Sequence, residues 1–310
     1  MPSLSSRLVT AQLRRIEQKR VLTDTELFHR AIEFRRRHPA SAEPPKSLRR
    51  KVSIVPQMLC GWLCYRLTPP NSAPGPGTLY LHGGAYVAEI QPTHWWALAD
   101  IARRSGIEIT VPIYPLAPAA TAERTVATAT DIAARAAPGF TLMGDSAGGG
   151  MALAVLQQLR LRRAPQPRRA VLLSPWLDVT IPDPAAAELA RTDVILDIPG
   201  LLEAGRLYAG DLPVDDPRVS PIHGELTGLA PIVLFSGTAE LLNPDARRLA
   251  AAGTGIDYVE CPGGQHCYPL LRTREGKQAR RHIAELLRTP GSAGGGERSS
   301  GRNRGGTVRM

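Results

Sequence analysis

The stretch Phe140-Thr141-Leu142-Met143-Gly144-Asp145-Ser146-Ala147-Gly148-Gly149-Gly150 decides how this 310-residue chain is read. Its first four residues have the short apolar character of a buried strand, and a helical pattern runs on to about Arg163. A sharp turn from strand into helix forces its central residue into a strained backbone conformation, where neighbouring Cβ atoms would clash. Glycines two residues before and two after Ser146 remove those atoms. The turn then lifts the Ser146 hydroxyl above the sheet, at the positive end of the following helix. A Gly-x-Ser-x-Gly run arises by chance in many chains. A strand before it and a helix after it form the context that a nucleophilic serine requires.

A nucleophilic serine also needs donors for the oxygen of its tetrahedral intermediate, each worth about a hundredfold or more in rate. One is expected at the N–H after the nucleophile, that of Ala147. The others are expected from an earlier strand-to-helix loop. Leu81-His82-Gly83-Gly84-Ala85-Tyr86 follows the short apolar strand Thr78–Leu81 and supplies such a loop. Gly83, Gly84 and Ala147 are therefore the predicted oxyanion donors. His82 precedes the serine, which suits it to ordering the loop and not to the role of general base. Ala85, Tyr86, Asp145, Trp95 and Trp96 are candidates for the walls of a substrate pocket, although paired tryptophans on a helix are as often core.

In this arrangement the order along the chain is serine, acid, histidine. His266 and His282 are the histidines in the region where the base should lie. His282 sits in a helix-like Arg-Arg-His-Ile-Ala-Glu stretch and reads as a surface residue. His266 follows the strand-like Ile256–Glu260 and the loop Cys261-Pro262-Gly263-Gly264-Gln265, so it can hang over the sheet. The acid should follow the strand Ile232–Phe235, where Glu240 and Asp245 compete. Asn243-Pro244 reads as a helix N-cap and first helical residue, which places Asp245 in the first turn, complementing the dipole. Glu240 is left as the acid that orients His266.

Further short apolar strands at Ile107–Val111 and Ala170–Leu173 alternate with helical stretches, which implies a mostly parallel sheet covered on both faces. Lys51–Leu67 is β-rich, and Pro69–Gly77 is a surface loop. Residues 1–50 read as an N-terminal helical segment built on two helices. Thr23-Asp24-Thr25-Glu26 has the form of a capping box opening the second, and Pro39 closes it. The catalytic domain is expected over residues 51–289. Residues 290–310 hold seven Gly and three Ser and read as a disordered tail.

The chain carries 38 basic and 28 acidic side chains, net +10. Residues 1–51 account for +8, residues 289–310 for +3, and the body between them for −1. Aromatics are only 5% of the chain, too few for the stacking platforms of single-strand binders, so nucleic acid is excluded as the partner. No apolar run approaches the 18 or so residues of a membrane helix, and the start lacks the apolar core of a signal peptide. Four cysteines do not make a disulfide scaffold, and their spacings match no zinc site, so reduced thiols in a cytoplasmic protein without metal or organic cofactor are expected. The basic N-terminal helices are expected to be a helical extension packed on the body or a cap over the active site, ahead of weak membrane-surface contact through residues 1–40.

The residues taken together resemble the hormone-sensitive-lipase branch of the α/β-hydrolases, especially its bacterial esterases. His82-Gly83-Gly84-Ala85 resembles that branch's His-Gly-Gly-Gly motif, and Gly144-Asp145-Ser146-Ala147-Gly148-Gly149 matches its nucleophile motif. Tyr114-Pro115-Leu116-Ala117-Pro118 and Ser174-Pro175-Trp176-Leu177-Asp178 resemble two more recurrent segments. The resemblance covers residues 50 to 288 and implies an α/β-hydrolase fold, with a helical cap drawn from the N-terminus and from about residues 183–212. Two departures stand out. Ala85 replaces the usual third glycine, narrowing the space beside the oxyanion hole, and Glu240 stands where Asp is usual. The implied activity is that of a serine carboxylester hydrolase acting on short- to medium-chain acyl esters, with a small-molecule ester as its partner. An amidase or deacetylase would carry the same residues, and a binding protein on this scaffold would lack one of them.

Overall fold

The computed structural model describes residues 2–15, 18–72, 74–253, 255–289 and 308–309. Three helices open the chain: α1 (Leu4–Leu13), α2 (Gln18–Thr23) and α3 (Thr25–Arg37). The expected first helix is thus two pieces. Asp24 opens α3, accepting from the N–H groups of Glu26 and Leu27 at 2.9 and 3.0 Å, as an N-cap should.

Strands β1 (Ser53–Leu59) and β2 (Trp62–Thr68) then form a hairpin whose two-residue turn, Cys60-Gly61, has positive φ at both positions. That backbone twist matches the twist of the strands it joins. The remaining strands are β3 (Thr78–Leu81), β4 (Ile109–Pro112), β5 (Thr141–Asp145), β6 (Arg169–Leu173), β7 (Ile232–Gly237), β8 (Ile256–Cys261) and the two-residue β9 (Val308–Arg309). They form one sheet in the order β1-β2-β4-β3-β5-β6-β7-β8-β9. Only β1 with β2 and β2 with β4 run antiparallel. Of the expected tail, residues 290–307 and 310 lie outside the described residues.

Both faces of the sheet are covered. Leu79, Leu81, Leu142, Leu172 and Leu234 point into one core with α5 (Ala122–Ala134) and α6 (Ser146–Leu161). Their neighbours along the strands, Tyr80, Met143, Val171, Leu173 and Phe235, point into the other with α4 (Pro92–Ser105) and α10 (Arg274–Arg288). The period of two sends successive side chains to opposite faces, so strands covered on both sides are apolar throughout. Each fully buried Leu or Phe contributes about 1.5–3 kcal/mol.

Helices α7 (Ala185–Thr192) and α8 (Ile198–Ala209) fall between β6 and β7, and α2 and α3 pack on α8. Leu22, Phe28 and Ile32 from these N-terminal helices join the same core as Leu201 and Tyr208 of α8. The N-terminal segment and the 183–212 insertion therefore share one apolar interior. No helix among the described residues is long and apolar enough to cross a membrane. Helix α9 (Asn243–Ala252) follows β7, and the loops after β3, β5, β7 and β8 converge at one end of the sheet.

Candidate active site

Ser146 opens α6 at the end of β5, with φ of +50°, the left-handed region that only a constrained turn imposes on serine. The glycines around it are required by contact. A Cβ on Gly144 would stand 2.2 Å from the Gly148 carbonyl oxygen, and one on Gly148 would stand 2.1 Å from that of Leu81. The elbow is braced from the side by Trp176, whose N–H donates to the Ser146 carbonyl at 2.9 Å.

The histidine and the acid arrive from two other loops. The Ser146 hydroxyl lies 2.9 Å from His266 Nε2, and Nδ1 of the same ring lies 2.9 Å from Glu240 Oε2. The second Glu240 oxygen, Oε1, accepts from the Ser236 hydroxyl at 2.5 Å and the Gly237 N–H at 2.9 Å. With both oxygens engaged, the carboxylate holds the imidazole in the tautomer that leaves Nε2 free to take a proton. Burial acts to push the His266 imidazolium down. The hydrogen bond and charge of Glu240, with Asp193 and Asp145 beyond it, overcome this and hold the group above the ordinary histidine value. The three residues expected to meet do so, although they lie 120 and 26 positions apart in sequence.

Asp245 sits in the first turn of α9 and pairs with Arg248 at 2.6 Å, away from the histidine. Burial raises its carboxyl to about 6, against the pull of Arg248. The expected N-cap is displaced by one residue. Asn243 starts α9, and its side-chain amide reaches Ser236 Oγ at 3.0 Å, Tyr258 OH at 3.0 Å and Glu260 at 3.1 Å. It therefore supports the hydroxyl that supports Glu240. His282, on α10, packs edge-on to Phe235.

The glycine loop is built differently from the sequence expectation at one position. The Gly83 N–H donates to Asp145 Oδ1 at 2.7 Å, so it is committed within the protein and does not face an oxyanion. The N–H groups of Gly84, Ala85 and Ala147 meet no acceptor among the described residues. Gly84 has φ of +128° and Ala85 of +51°, a reversal that separates their amides from that of Gly83. His82 orders this loop as expected. Its Nδ1 lies 2.6 Å from the Gly83 carbonyl, its ring stacks on Tyr114 at 4.2 Å, and Tyr114 OH donates to its carbonyl at 2.7 Å. Burial lowers His82 to about 4, so it is neutral near pH 7.

The remaining pocket candidates divide. Asp145 is a buried strut and no pocket wall. It accepts from Tyr80 OH at 2.5 Å and from Gly83 N–H, and its other oxygen faces His94 Nε2 at 3.2 Å. Burial works to raise it, but His94, Tyr80 and Gly83 hold it well below the usual carboxylate range. Tyr86 is buried and stacks on Tyr208 of α8 at 3.5 Å, bracing the loop. Trp95 faces the opposite core, edge-on to Tyr65 at 5.6 Å. Trp96 lies beneath Lys51 and Arg272. Neither tryptophan lines the site, because the helix carrying them covers the other face of the sheet. Ala85, half-buried beside the free amides, is the candidate that stays at the centre.

Two residues at the site carry no motif that would have announced them. The Cys267 thiol lies 3.5 Å from both His266 Nε2 and Asp145 Oδ2, and burial raises it well above the ordinary thiol value. Asp193 comes from the end of α7 and reaches the residue after Glu240. The Cys60, Cys64, Cys261 and Cys267 thiols are all free, and no group of three His, Cys, Asp or Glu side chains among the described residues could hold a metal.

A serine on a strained elbow, a histidine on its hydroxyl and a carboxylate behind that histidine form the arrangement that serine hydrolases use. The chain belongs to the alpha/beta hydrolase fold family, whose model matches residues 78–270. Within it the chain falls in the hormone-sensitive-lipase-like branch of esterase and lipase-type hydrolases. It is 33% identical over 235 residues to an acetyl-hydrolase of Streptomyces hygroscopicus, covering 71% of this chain and 78% of that one. It is 32% identical to a triacylglycerol lipase of Mycobacterium tuberculosis over 68% of its own length but only 46% of the lipase. A solved esterase of the bacterial hormone-sensitive lipase family superposes with a TM-score of 0.78 at 28% identity, over 94% of this chain and 99% of that one.

Proposed function

We propose that the protein is a serine carboxylester hydrolase for short- to medium-chain acyl esters, working through an acyl-enzyme on Ser146. The unbroken run of hydrogen bonds from Ser146 Oγ through His266 to Glu240, each 2.9 Å long, carries this reading. His266 Nε2 takes the hydroxyl proton as Ser146 Oγ bonds to the ester carbonyl carbon. The imidazolium formed is stabilised by Glu240. The carbonyl oxygen becomes an oxyanion, held by the N–H groups of Gly84 and Ala147, with that of Ala85 as the next uncommitted donor. His266 then passes the proton to the leaving alkoxide, and the C–O bond breaks to release the alcohol. Water, deprotonated by His266, repeats the sequence on the acyl-serine and frees the acid.

The acyl preference rests on the small Ala85 beside the uncommitted amides and on an aromatic stack of Tyr86, Tyr208 and Trp176, which fills the space behind the loop. The N-terminal helices and the 183–212 insertion serve as the cap over this site. Four free thiols fit a cytoplasmic setting. The test is turnover of p-nitrophenyl esters from acetate to dodecanoate. The expected result is a maximum kcat/KM between acetate and octanoate and no turnover above background by Ser146→Ala. Equal activity of wild type and Ser146→Ala would end the reading, and faster cleavage of a matched anilide than of its ester would reassign it to amide hydrolysis.

A further inference from the structure

The turn joining α7 to α8, residues 193–197, stands between the N-terminal helices and the triad. From the outer side, Lys19 of α2 donates through Nζ to the carbonyl oxygens of Ala190 and Asp193, which end α7. The Thr23 hydroxyl donates to Asp197 Oδ2 at 2.8 Å. From the inner side, Asp193 is only 1% exposed. Its Oδ1 accepts from the N–H groups of Ile195 at 2.8 Å and Leu196 at 2.9 Å, closing the local turn. Its Oδ2 reaches across the chain and accepts from Leu241 N–H at 2.9 Å.

Leu241 follows Glu240 directly. The next residue of the turn, Val194, donates its N–H to Gln265 Oε1 at 3.3 Å, and Gln265 precedes His266. One turn of the cap insertion therefore holds the loop that carries the acid and the loop that carries the base. An Asx turn on Ile195 and Leu196 needs one acceptor oxygen, which Asn supplies equally well. The second oxygen and the negative charge are surplus to that local role. Burial raises the Asp193 carboxyl above its ordinary value, while the charge of His266 and the three backbone donors oppose that rise and favour the ionised form.

We propose that Asp193 is a positioning residue of the triad, which fixes the Glu240 loop through Leu241 and supplies a second negative charge near the imidazolium. Through Lys19 it also makes the N-terminal helices and the triad loops one mechanical unit. The inference rests on the Ser146–His266–Glu240 reading. The groups around His266 are Glu240, Asp193, Asp145, His94, Cys267 and Ser146. Asp145 is tied to His94, and Lys19 meets Asp193 only at its backbone carbonyl, so Glu240 and Asp193 are the carboxylates near His266 whose own oxygens pair with no lysine or arginine among the described residues.

The test uses the full chain carrying Asp193→Asn, which keeps the turn and loses the charge and the acceptor for Leu241. For p-nitrophenyl butyrate, kcat should fall about tenfold with KM within about twofold of wild type. The acid limb of kcat/KM should move to lower pH by about half a unit, since a charge that favours the imidazolium is gone. A fold-only role would leave that limb in place. An Asp193→Asn enzyme with wild-type kcat and an unmoved acid limb would overturn the proposal. Lys19→Met guards against an Asp193 variant that does not fold. Its kcat should fall about threefold and be restored by Lys19→Arg, and wild-type kcat in Lys19→Met would overturn the coupling. Ser146→Ala and Glu240→Gln in the same assay separate the two levels. If they keep turnover, the triad reading has failed. If they lose it while Asp193→Asn does not change, only this inference has failed.

Discussion

Asp145→Ala should cost the protein both stability and rate, through a residue that touches no substrate. In the native structure its two oxygens serve Tyr80 OH at 2.5 Å, Gly83 N–H at 2.7 Å and His94 Nε2 at 3.2 Å, and all of these groups are buried. Alanine leaves each of them without its acceptor, at about 1–3 kcal/mol apiece, or about 5 kcal/mol together. At about 2 °C per kcal/mol for a domain of this size, Tm should fall by about 10 °C. The rate should fall for a separate reason. Gly83 N–H tethers the loop that carries Gly84 and Ala85, and misplacing an oxyanion donor costs about 10²–10³ in kcat.

Asp145→Asn is the companion. Its amide oxygen can still accept from Tyr80 and Gly83, so kcat should stay within about tenfold of wild type. It should differ from wild type in its pH dependence. Asp145 is held below its usual 3.8, so its contribution is present above that pH and lost as pH falls through the lower folded value. His94 is held above its usual 6.5, so its contribution is complete below that pH and lost as pH rises through the higher folded value. The Tm of wild type should therefore peak between these limits, and that of Asp145→Asn should be flatter. Thermal melts from pH 3 to 9 and p-nitrophenyl butyrate turnover read both effects. An alanine variant that melts within about 2 °C of wild type and keeps its kcat would refute the reasoning.

The pH–rate profile should show kcat/KM falling on the acid side with a midpoint above 6.5, since His266 must be neutral to act and the neighbouring carboxylates hold its imidazolium up; a midpoint at or below 6.5 would contradict the electrostatics of the site. Gly148→Ala should lower Tm and kcat together, because its Cβ would sit 2.1 Å from the Leu81 carbonyl and 2.5 Å from that of His82, and both belong to rigid backbone; the overpacking should cost about 1–3 kcal/mol by thermal melting. Ser236→Ala should reduce kcat severalfold with KM unchanged, since it removes the 2.5 Å donor that fixes Glu240 Oε1, and steady-state kinetics on butyrate esters would show whether that support matters.

Much of what brings Ser146, His266 and Glu240 together is legible in the sequence. Glycines at 144 and 148, two apolar strands ending in glycine loops, and a histidine on a loop after the last predicted strand are local signals, because backbone strain and helix polarity act over a few residues. That Glu240 and not Asp245 meets His266 was also readable, since Asn243-Pro244 announced a helix whose first turn would absorb Asp245. The net charge was less telling: its excess lies in residues 1–51 and in the tail, outside the triad.

What only the tertiary structure decided are the contacts between segments far apart in the chain. Gly83 looked like an oxyanion donor because it stands in a glycine loop directly after a strand; its N–H is spent on Asp145, 62 residues away. Trp95 and Trp96 were open between pocket wall and core on sequence alone; the fold puts their helix on the other face of the sheet. Asp193 carried no signal at all, since its contact exists only where the 183–212 insertion folds back onto Leu241, 48 residues downstream. Sequence patterns report the conformational needs of neighbouring residues, and so they specify the strands, the elbow and the candidates Ser146 and His266. Which donor meets which acceptor across a packed interior depends on how the layers close, and that is settled only when the chain has folded.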